Sequence, residues 1–333
     1  MIVRIVGHNN EALFPFKSAG PWDEFYKVFV NNGIMITQNN FGVHTNALIS
    51  NCHSSEAMEE AIRNGVPRER RALILWEPRI VDSYRYKTEI LSQYGVIYSP
   101  SPLWAEKVGG KIFKWPQDSV NQIESHEKWI PRKNKAVMVQ GNKWSAQKGE
   151  MYSLRRKIIS QLPNDLDLYG VGWNRGIQPD LYHLVSSIIN SSLNEIKLEP
   201  IKHLGKKYKN YFGEVSNKYE VLSKYKISIV IENSQDYISE KLFDSVSAGC
   251  ICIYVGPQVS LFELSSTVAI FAKPSIKDIT DKFYEIVNLP SIEQYAIAQN
   301  QNRMLRNNSE RWNNFNVLRK LALDLINDLK IID

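Results

Sequence analysis

Short apolar runs alternate along the chain with amphipathic stretches, and the rhythm is clearest between Tyr225 and Pro257. There Ile227, Ile229 and Ile231 alternate with Ser228 and Val230, a β-rich run ending in the polar cluster Glu232-Asn233-Ser234. Ser239 stands where a helix cap is expected, with Leu242, Phe243, Val246 and Ala248 at helical spacing and Gly249 as the stop. Ile251 to Val255 read as a second buried strand, closed by Gly256-Pro257. Upstream, the pattern predicts strands at 2–6, 34–37, 47–50, 72–76 and 96–99, and helices at 22–31, 54–63 and 84–93. A weakly patterned stretch at 117–134 breaks the rhythm. Beyond it come strands at 136–140, 166–169 and 268–271, and helices at 148–162, 275–288, 291–306 and 309–329; residues 177–215 read as polar loops. Such alternation argues for mostly parallel sheets with helices on both faces, in two α/β domains, 1–125 and 126–333.

Composition narrows the class. With 333 residues and 43% hydrophobic positions the chain has room for two cores. No run reaches the ~20 apolar residues of a membrane span, and the N-terminus enters a strand without the apolar region of a signal peptide. Three cysteines, Cys52, Cys250 and Cys252, make no disulfide framework, so a reducing, cytoplasmic setting is expected. Cys250 and Cys252 have no other Cys or His near them in sequence and read as packing rather than metal ligands. The net charge of +6 suits an anionic substrate, an acidic membrane surface or nucleic acid. It is scattered apart from Arg68-Glu69-Arg70-Arg71 and a Lys-rich segment from Lys197 to Lys209. Neither makes a regular basic-aromatic stripe, so nucleic acid is not expected. A solvated surface and peripheral contact with acidic lipid headgroups are the two readings left.

Candidate chemistry gathers after the Ile227–Ile231 run. In an open α/β sheet ligands collect beyond the carboxyl ends of the strands, and a helix N-terminus there attracts anions. A carboxylate-amide loop leading into Glu240-Lys241 at that place reads as a nucleotide-phosphate site. Lys241 suits the charge that builds on a leaving diphosphate. Asn233 and Glu240 suit sugar or ribose hydroxyls, and Tyr237 can stack or hydrogen-bond. Glu232 follows an apolar strand directly, so its carboxylate needs a partner.

The segment IENSQDYISEKLF, followed by SAGCICIYVGP, resembles the donor-binding signature of family 10 glycosyltransferases, the α-1,3/α-1,4-fucosyltransferases. Glu232-Asn233-Ser234, Asp236-Tyr237-Ile238, Glu240-Lys241 and Ala248-Gly249 fall in the family's order. Ser239 replaces the usual Thr, an Ile-Cys-Ile run replaces a proline-containing one, and the seven residues between Glu232 and Glu240 make a shorter spacer than usual. Fainter similarity extends through the preceding long helix and the GVGWNR turn. The resemblance implies a GT-B architecture, two Rossmann-like domains facing each other across a cleft, and inverting transfer of fucose from GDP-fucose to a glycan or glycolipid hydroxyl. It implies no cofactor and no protein-bound metal. Lys241 and an arginine early in the long helix, Arg155 or its neighbour Arg156, would hold the diphosphate. Asn233, Tyr237 and Glu240 would shape the donor pocket. Glu77, at the strand end in the segment ALILWEP, matches a family segment with a Glu in the corresponding loop and would be the base, with His8 and His44 as alternatives. Two glutamates with seven residues between them are also similar to the donor motif of retaining GT-B enzymes using another nucleotide sugar. A non-catalytic glycan- or nucleotide-binding relative is the third reading.

Overall fold

The computed structural model describes residues 1–7, 21–37, 43–51, 53–145, 147–174 and 207–331. His8, Cys52, the end of the GVGWNR turn and the Lys-rich segment up to residue 206 lie outside the described residues. The chain forms two compact units, residues 1–118 with 310–333, and residues 119–309.

Among the described residues, the first unit holds a six-stranded sheet: β1 (Ile2–Val6), β2 (Met35–Thr37), β3 (Ala47–Ser50), β4 (Arg71–Ile74), β5 (Val96–Ser99) and β6 (Lys111–Ile112). The order is β2-β1-β3-β4-β5-β6 and every pairing is parallel. On one face, Val3, Ile5, Ile49 and Ile74 pack with α1 (Pro21–Asn31) through Phe25 and Phe29. On the other, Leu48, Leu73 and Ile97 meet Met58 and Ala61 of α2 (Ser55–Arg63) and Ile90 of α3 (Thr88–Leu91). Ser54 caps α2 by accepting the Ala57 N–H. The helix expected over 84–93 is instead a 3₁₀ turn, Tyr84–Tyr86, followed by α3. Extended Lys87 (ψ 141°) breaks the run, and the Tyr86 hydroxyl is anchored on the Glu77 carbonyl at 2.8 Å. A short helix, α4 (Pro102–Lys107), capped by Ser101 with Pro102 in its first turn, follows β5.

The second unit begins at Ser119 and contains α5 (His126–Trp129), β7 (Lys133–Val139), α6 (Tyr152–Gln161), β8 (Leu166–Tyr169), α7 (Lys218–Leu222), β9 (Tyr225–Ile231), α8 (Glu240–Ser247), β10 (Ile251–Val255), β11 (Ile270–Phe271), α9 (Ile276–Val287) and α10 (Ser291–Asn308). Its described strands run in the order β11-β10-β9-β7-β8, all parallel. Helix α6 starts later than the expected residue 148, because Gly149 adopts φ +92° and the Glu150 carboxylate accepts the Ser153 N–H at 3.0 Å.

The last helix departs from the sequence-based division. Residues 126–333 read as one domain, yet α11 (Asn314–Asp328) packs into the first unit. Its Leu318, Leu321, Ala322 and Leu325 are buried with Phe25 and Phe29 of α1, an apolar stripe that no period in the sequence assigns to either sheet.

Both sheets share a topological feature. From β1 the chain first builds outward to β2 and then returns to β3 on the other side, and β7, β8 and β9 repeat this. The switch points therefore fall between β1 and β3 and between β7 and β9, where ligand crevices form beyond the carboxyl ends. The Arg68–Arg71 patch is spent locally: Arg68, Arg70 and Arg71 donate to the main-chain oxygens of Tyr94, Lys330 and Val66. Among the described residues, no helix is long and apolar enough to cross a membrane.

Candidate functional site

Strand β9 is buried along its whole length and delivers Glu232 to its carboxyl edge with 0% of the residue exposed. The partner that the sequence demanded is threefold. The Glu232 carboxylate accepts the Ser239 N–H at 3.0 Å, the Ser239 hydroxyl at 2.7 Å and the Tyr254 hydroxyl at 3.1 Å. Burial, then the Glu232 carboxylate, pushes Tyr254 well above the ordinary phenol range, so it remains a donor. Glu232 thus staples both ends of the loop 232–239 and faces no solvent.

Ser239 caps α8, as its spacing predicts. Its hydroxyl also accepts from the Lys241 amine at 2.8 Å. That amine lies 3.8 Å from Glu232 and 3.7 Å from Glu240, and the Lys241 side chain is 14% exposed. The Lys218 amine, on α7, bridges Glu240 at 3.0 Å and Asp244 at 2.9 Å. With Ser228, the Lys218, Lys241 and Asp244 side chains border a small crevice over the β7–β9 seam. Burial would raise the Glu240 carboxyl, but Lys241 and Lys218 overcome it and hold the group at about 2. Its side chain is 39% exposed, so it stays an ionised acceptor open to a ligand. Gly249, at φ +79°, ends α8 where a Cβ would come within 2.9 Å of the Ile123 side chain.

Arg155 lies inside the unit rather than on its rim. The residue is 1% exposed, and its guanidinium donates from Nε and Nη2 to the Ile231 carbonyl (3.0 and 2.6 Å) and from Nη2 to Asn233 Oδ1 (2.8 Å). It also stacks over the Tyr152 ring at 4.8 Å. Arg156 is equally buried and donates to the Lys143 carbonyl at 2.8 Å. Both arginines therefore support the walls of the edge: Arg155 fixes Asn233, and Arg156 fixes the loop after β7. Tyr237, within the motif loop, is buried. After β8, Trp173 Nε1 donates to the Gln140 carbonyl at 2.6 Å, and a Cβ on Gly170 (φ +127°) would fall on that same oxygen.

In the first unit Glu77 leaves the carboxyl edge just after β4, half-buried. His44, the alternative base, precedes β3 and therefore lies at the opposite, amino edge of the sheet from Glu77. A histidine that sequence reasoning missed occupies the right edge: His53, half-buried, directly after β3 and before the Ser54 cap. The signal was present, since a polar residue between a β-rich run and a helix cap marks the ligand-facing edge.

No protein-family model and no curated protein matches the sequence. Solved structures match it throughout. HepE of Anabaena, solved in complex with UDP and glucose, is similar over 98% of this chain and 100% of its own, at 9% identity and TM-score 0.59. An α1,3-fucosyltransferase matches 100% of this chain and 90% of its own, at 13% identity and TM-score 0.56. The UDP-forming α,α-trehalose-phosphate synthase of Burkholderia xenovorans matches 92% of this chain and 84% of its own, at 10% identity and TM-score 0.54. The fold is that of GT-B glycosyltransferases. Within the GT-B fold, the loop 232–239 occupies the carboxyl edge of the second Rossmann-like unit, and Glu77 and His53 that of the first.

Proposed function

We propose that the protein is a glycosyltransferase that holds a nucleotide-sugar donor on its second unit, and that it transfers fucose from GDP-fucose, with inversion, to the hydroxyl of a glycan or glycolipid. The observation that carries this reading is the ENSQDYISEK segment, which leaves β9 beside the switch point and leads straight into the capped N-terminus of α8. Departure of GDP builds charge on its β-phosphate. The Lys241 amine, moving off Glu232 and Glu240, and the positive end of α8 would stabilise that charge without a metal. Glu240 and Asn233 would bind donor hydroxyls, Arg155 acting through Asn233 and Tyr237 supporting the loop. On the first unit, the resemblance makes Glu77 the base for the attacking hydroxyl. A cytoplasmic enzyme touching a membrane surface peripherally fits this reading.

Calorimetry with GDP tests it. GDP is expected to bind, and Lys241→Ala to weaken that binding by at least about 1.5 kcal/mol, the scale of a hydrogen bond to a charged group. Equal affinity in the variant would remove Lys241 from the site, and no affinity for any nucleotide would remove the reading. Glu77→Gln tests that base: a loss of turnover of at least about 100-fold with GDP affinity intact would keep Glu77 in the role. A variant that turns over normally would return the base to another group.

The second reading is a retaining transferase with a UDP-sugar donor, favoured by the UDP and glucose bound to HepE. Against a ligand-facing pair of glutamates stands the complete burial of Glu232. GDP and UDP titrations, with NMR of the product's anomeric configuration, separate the two. Nucleotide binding with no product from any donor would leave a non-catalytic relative.

A further inference from the structure

His53 has the surroundings of a working base. Its Nδ1 lies 3.1 Å from the Tyr94 hydroxyl, and the Tyr94 ring stands edge-on to the imidazole at 6.1 Å. Tyr84, on the loop that follows Glu77, lies 6.4 Å away between ring centres, tilted to the imidazole. The nearby charge is Arg85 on that loop, itself paired with Asp82 at 2.5 Å. With an Nδ1–H donated to Tyr94, the lone pair remains on Nε2. Nε2 makes no hydrogen bond among the described residues and is not a buried orphan.

The position favours the neutral ring. His53 sits immediately before the first turn of α2, at the positive end of a nine-residue helix. Burial first, and then Arg85, lowers its pKa from the ordinary 6.5, so the imidazole is uncharged and basic at neutral pH. Glu77 leaves the same edge on the adjoining strand. Ser50 and Leu73 are register partners, so His53 and Glu77 emerge from neighbouring strands at similar heights.

The geometry points to His53, in place of Glu77, as the catalytic base: its Nε2 takes the proton from the acceptor sugar's hydroxyl. This rests on the transferase reading and moves the base on its acceptor side from Glu77 to His53. As the acceptor oxygen forms its bond to the anomeric carbon, the bond from that carbon to the diphosphate breaks and its electron pair leaves with GDP. The hydroxyl proton passes to Nε2, and the imidazolium returns it to water after product release. A ring held by Tyr94 loses little orientational freedom at that moment.

The test is the pH dependence of turnover with GDP-fucose and a panel of galactosyl, glucosyl and N-acetylglucosaminyl glycosides. His53→Gln is expected to lower kcat/KM at pH 7 at least about 100-fold, and to abolish the loss of activity that protonation of the ring causes in the wild type on the acid side. GDP affinity should be unchanged, since His53 belongs to the other unit. His53→Asn serves if the glutamine variant folds poorly, and the wild-type ring is followed directly by NMR. Activity of either folded variant within about threefold of wild type overturns the inference, as does an acid limb that survives the substitution, or a His53 ring that titrates above the ordinary value. Those results leave the transferase reading standing if GDP binds and product forms. Wild-type protein that binds no nucleotide and makes no product overturns both.

Discussion

Glu232→Leu is expected to destabilise the second unit by about 3–5 kcal/mol, the scale seen when a buried charged partner is removed from its donors. The carboxylate is fully buried and accepts from the Ser239 N–H, the Ser239 hydroxyl and the Tyr254 hydroxyl. Leucine fills much of the volume but accepts nothing, so the main-chain N–H and the phenol are left without their acceptor in a dry site. The Lys241 amine loses one of its two carboxylate neighbours as well. Glu232→Gln keeps one accepting oxygen and should lose less. Calorimetric melting measures both, because two units need not unfold together. Because the staple ties loop 232–239 to β10, nucleotide affinity should fall with stability. A Leu variant that melts with the wild type would show that the loop is held by something else.

Arg155→Met is expected to destabilise by about 2–3 kcal/mol, since it strands the Ile231 carbonyl and the Asn233 amide oxygen inside the protein. Its effect on nucleotide affinity decides how the residue works. If Arg155 acts through Asn233, a cycle of Arg155→Met and Asn233→Ala should be non-additive by about 1 kcal/mol or more, the second substitution costing little once the first is made. If the guanidinium met the phosphate itself, the two losses would add. Burial already pulls the Arg155 pKa down, against the favourable field of Tyr152 and Glu232. A fork that serves two oxygens at once is not replaced by the single ammonium of lysine, so Arg155→Lys should resemble the methionine variant more than the wild type.

Much of this was legible in the residue order. The alternation of Ile227, Ile229 and Ile231, the cap at Ser239 and the stop at Gly249 all occur where pattern and turn chemistry put them. Local rules worked because each of these features is decided within a few residues. What escaped was decided at a distance. Nothing near Glu232 names Tyr254 as a partner, because that contact is made by β10 lying beside β9. Arg155 reads as a surface phosphate ligand until β9 is seen to bring the Ile231 carbonyl against α6. His44 and His53 look alike in sequence, and only the direction of β3 separates the edge that binds ligands from the one that does not.

The return of α11 to the first sheet bears on synthesis. As the chain leaves the ribosome, residues 119–309 emerge complete while the first unit still lacks Leu318, Leu321 and Leu325, the side chains that cover Phe25 and Phe29. The unit whose sheet is translated before the other is therefore the one that must wait for α11 before its core can close.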